Sequence, residues 1–162
     1  MMRILGVDPG STCTGYGLII EDGGNVRYVS SGAITPPRNA TRHDRLREIF
    51  QELENVIRKH QPTHFAIEEV FFNKNVKTTI VLGEARGTAI LAATLAGLPV
   101  YEYAPRAVKL SVTGNGASHK SQVSFMLGKI LQLSPPPESP DESDALAIAM
   151  CHAFRSRQRS GV

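Results

Sequence analysis

Four acidic residues lie where a carboxylate is costly to bury unless it meets a cation or hydrogen-bond donors. Asp8 ends the apolar run at the start of the chain, and Glu68 lies inside a second apolar segment. Asp141 and Asp144 are three residues apart, just ahead of a third apolar run. On a helix this spacing places both carboxylates on one face. We therefore expect these acids to share a partner.

The partner that suits several clustered carboxylates is a divalent cation, since without one they repel each other and take up protons. Oxygen ligands favour Mg²⁺ or Mn²⁺ over zinc, and the two nearest histidines are divided between a predicted helix, which holds His60, and a predicted strand, which His64 opens. Two such cations about 4 Å apart can activate water and stabilise the leaving oxygen of a phosphodiester. The pattern thus predicts metal-dependent hydrolysis of a nucleic acid.

Each acid also has a simpler explanation. Asp141 is of a type that caps helix N-termini, and Asp8 or Glu68 taken alone could be an ordinary satisfied or surface carboxylate. Glu69 competes with Glu68, because alternation along a strand sends their side chains to opposite faces of a sheet. Only one of the two can join Asp8.

The elements that must position these acids follow from hydrophobic periodicity and from turn residues. Three strands, the second and third joined by a hairpin, precede alternating helices and strands, so we expect an α/β fold: a five-stranded mixed sheet with helices on both faces. A right-handed crossover places strand four beside strand one, which makes Asp8 and Glu68 neighbours. We predict strands over 3–8, 15–20, 26–31, 64–71 and 100–103, and helices from about 41, over 76–96, from 105, over 120–131 and from 140.

Composition limits the remaining possibilities. The 162 residues suit one domain, and 18 basic against 15 acidic residues permit a polyanionic partner without requiring one. Cys13 and Cys151 read as reduced thiols, and the N-terminal apolar run is too short for a signal sequence or a membrane span. We expect a cytoplasmic protein whose tail, 155–162, is flexible.

Four ordered motifs resemble the RuvC family of Holliday junction resolvases. They are Gly6-Val7-Asp8-Pro9-Gly10, Ala66-Ile67-Glu68, Val112-Thr113-Gly114-Asn115-Gly116 and Asp144-Ala145-Leu146-Ala147. The resemblance covers nearly the whole chain and implies a ribonuclease H-like fold. It also implies a homodimer that makes paired symmetric cuts in four-way DNA junctions during homologous recombination and DNA repair, together with a RuvA–RuvB branch-migration complex.

The same resemblance implies that two Mg²⁺ ions, replaceable by Mn²⁺, bind to Asp8, Glu68, Asp141 and Asp144. It favours Glu68 over Glu69, because the family acid stands three residues before an aromatic, here Phe71. Asp141 is the least fixed of the four, since the family does not always have Asp at that position.

A basic segment is expected to contact DNA. No acidic residue occurs between Glu102 and Glu138, and the loop 114–116 is flanked by Lys109 and Lys120. Glycine-loop N–H groups suit a phosphate, although a solvated helical face is the alternative. By resemblance, the two lysines are needed for activity. The candidate DNA contacts in this segment are Arg106, Lys109, Asn115, His119 and Lys120.

A second candidate DNA contact follows Glu68. Phe71 and Phe72 precede a polar, basic stretch that contains Lys74 and Lys77. Aromatic side chains beside a nuclease site can wedge between bases, although two core phenylalanines would explain them as well. Phe71 matches the family's wedge position.

Three rival functions remain open. An actin-like ATP-binding domain would also have a phosphate loop like 8–11, but such proteins need two related domains. A non-catalytic DNA-binding module would have no use for Asp8 and Asp144, and a ribonuclease H-like nuclease acting on RNA is the closest alternative. The small residues of the 76–96 helix fit packing on its own sheet or a dimer interface.

Overall fold

The computed structural model describes residues 1–69, 75–135, 137 and 139–160, with side chains up to 157. Phe71, Phe72 and Lys74 lie outside the described residues. The strands are β1 (Met2–Asp8), β2 (Thr14–Asp22), β3 (Asn25–Ile34), β4 (His64–Glu68) and β5 (Val100–Tyr103). The helices are α1 (Arg42–His60), α2 (Val76–Leu95), α3 (Pro105–Thr113), α4 (Lys120–Ile130) and α5 (Pro140–Ser160).

The sheet has the order β3-β2-β1-β4-β5 and is mixed, as predicted. The pairs β1–β2 and β2–β3 are antiparallel, whereas β1–β4 and β4–β5 are parallel. Val7 pairs with Ile67, so the two strands end side by side at Asp8 and Glu68. The predicted adjacency of strands one and four is confirmed.

Helices cover both faces of the sheet. On one face α1 and α2 bury Ile49, Leu53 and the α2 alanines against Leu5 and Phe65. On the other, α3, α4 and α5 enclose a second apolar cluster around Ile4 and Leu146. The strand and helix pattern and this layering match a ribonuclease H-like fold.

Helix α5 approaches the sheet very closely because glycines stand beneath it. A Cβ on Gly6 would lie 2.7 Å from the backbone N of Ala149, and one on Gly17 would lie 2.8 Å from that of Leu146. A Cβ on Gly15 would overlap the Asp141 carbonyl. Any larger residue at these positions would push the helix, and its acidic residues, away from β1.

Helix α2 has two unlike faces. Its alanines, Ala85, Ala89, Ala92 and Ala93, are buried in the core, which confirms packing on the protein's own sheet. The opposite face exposes large apolar side chains with two glycines between them. These residues, which we call the outward face of α2, are Val76, Ile80, Gly83, Gly87, Leu91 and Leu95.

The C-terminal end differs from the prediction. We expected fraying from Arg155, but α5 continues to Ser160. The reason is an ion pair, since Arg157 Nε donates to Glu21 Oε1 at 3.0 Å and Glu21 is only 6% exposed. Across the described part of the chain, none of the helices is both long and apolar enough to traverse a membrane.

Candidate active site

A cleft of about 210 Å³ opens where β1 and β4 end. Asp8, Glu68 and Asp144 line it, and the lysines Lys109 and Lys120 line it too. Three of the four predicted acids and both predicted catalytic lysines therefore meet in one place, although they come from five different elements.

Local structure fixes Asp8 at the end of its strand. It pairs with Gly15 across the β1–β2 ladder, and the turn between them is closed by Thr14. The buried Thr14 hydroxyl accepts a hydrogen bond from Gly10 N and donates one to Gly10 O. This pair of hydrogen bonds holds the turn in shape beside Asp8.

The electrostatics of Asp8 show a strong excess of negative charge. Burial, followed by the charges of Asp144, Glu68 and Asp141, raises the pKa of Asp8 to about 7, and Lys120 opposes the rise. A carboxyl that holds its proton near neutrality is typical of an acidic cluster that lacks cations.

Glu68 behaves in the same way. Burial and the charge of Asp144 raise the pKa of Glu68, whereas Lys120 and Lys109 lower it. Glu69, the competing acid, is exposed, and its N–H donates to Tyr103 O at 2.9 Å. The structure thus directs Glu68, and not Glu69, into the cleft with Asp8.

Lys120 and Asp144 form the closest charged contact of the cleft. Lys120 Nζ lies 2.6 Å from Asp144 Oδ2, and this hydrogen bond raises the pKa of Lys120. The lysine is the first residue of α4, whereas Asp144 lies in the second turn of α5. The ammonium group thereby supplies positive charge to the acidic cluster.

Asp141 is not the cap of α5. Ser139 takes that place, since its hydroxyl accepts a hydrogen bond from Glu142 N at 3.2 Å. The capping explanation for Asp141 is therefore removed. Asp141 does not line the cleft itself, but its charge contributes to the raised pKa of Asp8.

Cys13 is a neighbour that the sequence did not reveal. Its thiol is hydrogen-bonded to Asp141, and burial together with this bond raises the pKa of the thiol. The available signal was its position in the turn that follows Asp8, but a lone cysteine carries no spacing from which its contact could be read. Both cysteines are free, as expected.

The acids as they are arranged do not yet enclose a metal. Within the described residues, no group of three or more His, Cys, Asp or Glu side chains is close enough to hold one. The donor chemistry nevertheless fits a divalent cation, since the acidic donors are carboxylates and burial, together with their mutual repulsion, raises the pKa of Asp8 to about 7. Carboxylate side chains can rotate on the strands and the helix that bring them together.

The loop 114–116 differs from the phosphate cradle that the sequence suggested. Gly114 N–H is used to end α3 on Leu110 O, and Asn115 N–H bonds to Thr113 Oγ1. The Asn115 side chain in turn accepts from Ala117 N. These hydrogen bonds form within the protein because the loop must end α3 and lead into α4. The loop therefore contributes by setting the spacing between Lys109 and Lys120.

The other basic candidates lie outside the cleft. Arg106 is exposed, and its Cγ would lie 2.6 Å from a Cβ on Gly116, so it packs along the loop. His119 is exposed directly before α4, and its N–H donates to Gln122. Lys77 is exposed in the first turn of α2.

Fold and cleft together define a nuclease of the ribonuclease H-like class. The family model described as Crossover junction endodeoxyribonuclease RuvC matches residues 4–152. The protein of that name in Pelotomaculum thermopropionicum is 45% identical, with 94% of this chain and 93% of its own covered. The one in Shewanella amazonensis is 49% identical, with 94% and 87% covered. The chain belongs to the RuvC family.

Solved structures agree with this assignment. Thermus thermophilus RuvC in complex with Holliday junction substrate is 32% identical and aligns with a TM-score of 0.92, covering 99% of this chain and 98% of its own. The yeast mitochondrial Holliday junction resolvase, 12% identical, shares the fold with a TM-score of 0.69 over 98% of this chain and 82% of its own. Family membership excludes the actin-like and non-catalytic alternatives.

Proposed function

We propose that this protein resolves four-way DNA junctions by paired, symmetric strand cuts in homologous recombination and DNA repair. The observation that carries the proposal is the meeting of Asp8, Glu68 and Asp144 with Lys109 and Lys120 in one cleft. The relatives are named crossover junction endodeoxyribonucleases, and one aligned structure holds Holliday junction substrate.

The acids would hold two Mg²⁺ ions, or Mn²⁺ in their place, with Asp8, Glu68 and Asp144 as ligands and Asp141 beside them. Bound there, the ions would lower the pKa of a water and stabilise charge on the phosphate. The protein's own part is to keep the carboxylates ionised and the phosphate in place. Lys109 and Lys120 contribute to both tasks, because their charges favour ionised acids and attract a phosphate oxygen.

DNA contacts would come from two segments of the chain. Arg106 at the start of α3, Asn115 in the loop after α3 and His119 directly before α4 would meet the phosphate backbone. In the segment that follows Glu68 in the sequence, Phe71 would act as the wedge between bases, as the family resemblance implies. The further contacts expected from that segment and the start of α2 are Phe72, Lys74 and Lys77.

Two copies would act together, since a two-fold enzyme suits a two-fold substrate. The outward face of α2 is our proposed dimer surface, because it exposes Ile80 to 52%, Leu91 to 51% and Leu95 to 70%. Its two glycines, at which an added Cβ would meet nothing, allow a partner helix to approach closely. By family resemblance the dimer would work with a RuvA–RuvB complex in the cytoplasm.

The function is tested with three substrates: a synthetic four-way junction, a plain duplex and an RNA–DNA hybrid, each in Mg²⁺. We expect wild type to cut the junction at symmetric positions and to cut the other two at least about 10²-fold more slowly. Asp8→Asn should bind the junction but not cut it. If wild type cleaved the RNA–DNA hybrid but left the junction intact, the protein would be a nuclease that acts on RNA and not a junction resolvase.

The experiment includes a control for the cleft. Asp22→Asn changes an exposed acid at the end of β2, remote from the cleft in the sheet, and should cut the junction at the wild-type rate. If Asp8→Asn cut as fast as Asp22→Asn, the acidic cleft would not be the active site.

A further inference from the structure

Arg86 joins α2 to the ends of two strands. Its Nε donates to the backbone oxygen of Glu68 at 3.2 Å, and its terminal nitrogen forms an ion pair with the carboxylate of Glu102. The arginine side chain is 18% exposed, whereas that of Glu102 is 49% exposed. The guanidinium group is therefore largely buried near the end of β4, the strand that carries Glu68.

Arg86 binds at the point where β4 ends. Glu68 is the last residue of that strand and pairs with Tyr103 of β5. Glu102 lies on β5 and pairs with Ile67, one residue before Glu68. One side chain thus binds the end of β4 and, through Glu102, the neighbouring strand.

Only arginine can make this pair of contacts with one rigid group. Its planar fork offers several N–H donors in fixed directions, so the two contacts hold the Glu68 carbonyl in a set orientation relative to the Glu102 carboxylate. The peptide of Glu68 determines the direction in which its side chain leaves the strand. Arg86 does not line the cleft, so any effect on the reaction must pass through Glu68.

The same helix supplies a comparison. Glu84, two residues earlier, forms an ion pair with Arg42 that joins α2 to α1 and contacts no strand end. Arg42 is 52% exposed, which is typical of a surface ion pair of small effect. The Arg86 contacts are more buried and reach an active-site residue.

We propose that Arg86 is a positioning residue: its contacts with the Glu68 carbonyl and the Glu102 carboxylate aim the Glu68 carboxylate at Asp8 and Asp144. The inference rests on the proposed function, because it assigns Glu68 a place in the cleavage site. Residues that orient metal ligands in this way typically change activity or metal affinity by about 10- to 100-fold when removed.

The test compares Arg86→Gln, Arg86→Lys and Glu102→Gln with the control Arg42→Gln. We measure the single-turnover cleavage rate against Mn²⁺ concentration, Mn²⁺ binding by electron paramagnetic resonance without DNA, and junction binding in Ca²⁺. Arg86→Gln should lower the saturating rate about 10- to 100-fold and weaken Mn²⁺ binding about tenfold, with junction binding within about threefold of wild type. Arg42→Gln should match wild type in all three.

The conservative variants separate positioning from general stability. Arg86→Lys keeps the charge but loses the fork, so it should recover only part of the rate. Glu102→Gln keeps an acceptor for Arg86 and should lose less than Arg86→Gln. Wild-type Mn²⁺ binding and cleavage in Arg86→Gln would overturn the proposal, and so would full recovery by Arg86→Lys.

Two other results, a variant that does not fold and a wild type that does not cut, must be distinguished from a failure of this proposal. If circular dichroism shows that Arg86→Gln does not fold, Arg86→Lys and Glu102→Gln are used to test the proposal, and unchanged Mn²⁺ binding in both variants overturns it. If wild type leaves the junction uncut, the proposed function fails. If wild type cuts the junction and Arg86→Gln is equally active, only the role of Arg86 is rejected.

Discussion

Lys120 Nζ lies 2.6 Å from Asp144 Oδ2 and joins the first residue of α4 to the acidic face of α5. The contact does two things at once. It offsets part of the negative charge in the cleft, and it places an ammonium group where a phosphate would compete for it. In the proposed function, the lysine would therefore couple the ionisation of the acids to the binding of DNA.

Removing this charge should change the pH dependence of cleavage. Lys120 lowers the pKa of both Asp8 and Glu68, so Lys120→Met will raise both. Ionised acids are needed for metal binding, and the acidic limb of the pH–rate profile should therefore move to higher pH. At neutral pH we expect a rate about 10²-fold lower.

The matched control for Lys120 is Lys59→Met, which removes one exposed lysine from the last turn of α1. Single-turnover rates from pH 5.5 to about 9 are compared at saturating junction. A Lys120→Met profile that keeps its acidic limb in place, while only the maximum falls, would contradict the electrostatic role.

Asp8 should make the metal-free protein less stable as the pH rises. Its pKa is about 7 in the folded protein against an ordinary value of 3.8, so the folded state holds the proton more tightly and loses stability between these two values. Asp8→Asn cannot ionise and should be more stable than wild type above pH 7. We expect a gain of about 2 kcal/mol, since a pKa difference of one corresponds to about 1.4 kcal/mol and relaxation around the site reduces the full value.

The stability prediction is checked by urea unfolding in EDTA at about pH 4 and pH 8. The two proteins should differ little at the lower pH and clearly at the higher one. Adding Mn²⁺ should reverse the order, because the ions favour ionised Asp8. Equal stability at pH 8 would show that burial and the neighbouring acids do not raise the pKa of Asp8 in the folded protein.

The sequence predicted the adjacency of Asp8 and Glu68, because an apolar strand and the handedness of the crossover leave little choice of neighbour. The sequence also predicted that Asp144 lies on a helix, on the same face as Asp141. Cys13 and Arg86 could not be found in this way, since their contacts depend on how a turn closes and how far a helix stands from a strand end. The hydrogen bonds that occupy the N–H groups of Gly114 and Asn115 were missed for the same reason.

The outward face of α2 makes a prediction about assembly. Leu91 is 51% exposed in the C-terminal half of this face, so Leu91→Glu places a charge where two copies would meet. We expect the variant to be a monomer by sedimentation and to nick one strand of the junction where wild type makes paired cuts. Phe125→Glu, which alters a 64% exposed residue of α4, should remain dimeric. If both variants stayed dimeric, the interface would lie elsewhere.

Close packing of α5 on β1 should be needed for both stability and cleavage. A Cβ on Gly6 would lie 2.7 Å from Ala149 N and 2.9 Å from Ala149 Cβ, so Gly6→Ala must push α5, and Asp144 with it, away from Asp8. We expect a loss of about 2–3 kcal/mol in unfolding free energy and a lower saturating cleavage rate in the folded protein. Gly128→Ala is the control, since a Cβ there meets nothing within 4 Å and alanine favours the helix by about 0.5–1 kcal/mol. A Gly6→Ala protein as stable and as active as Gly128→Ala would mean that the position of α5 does not set the geometry of the acids.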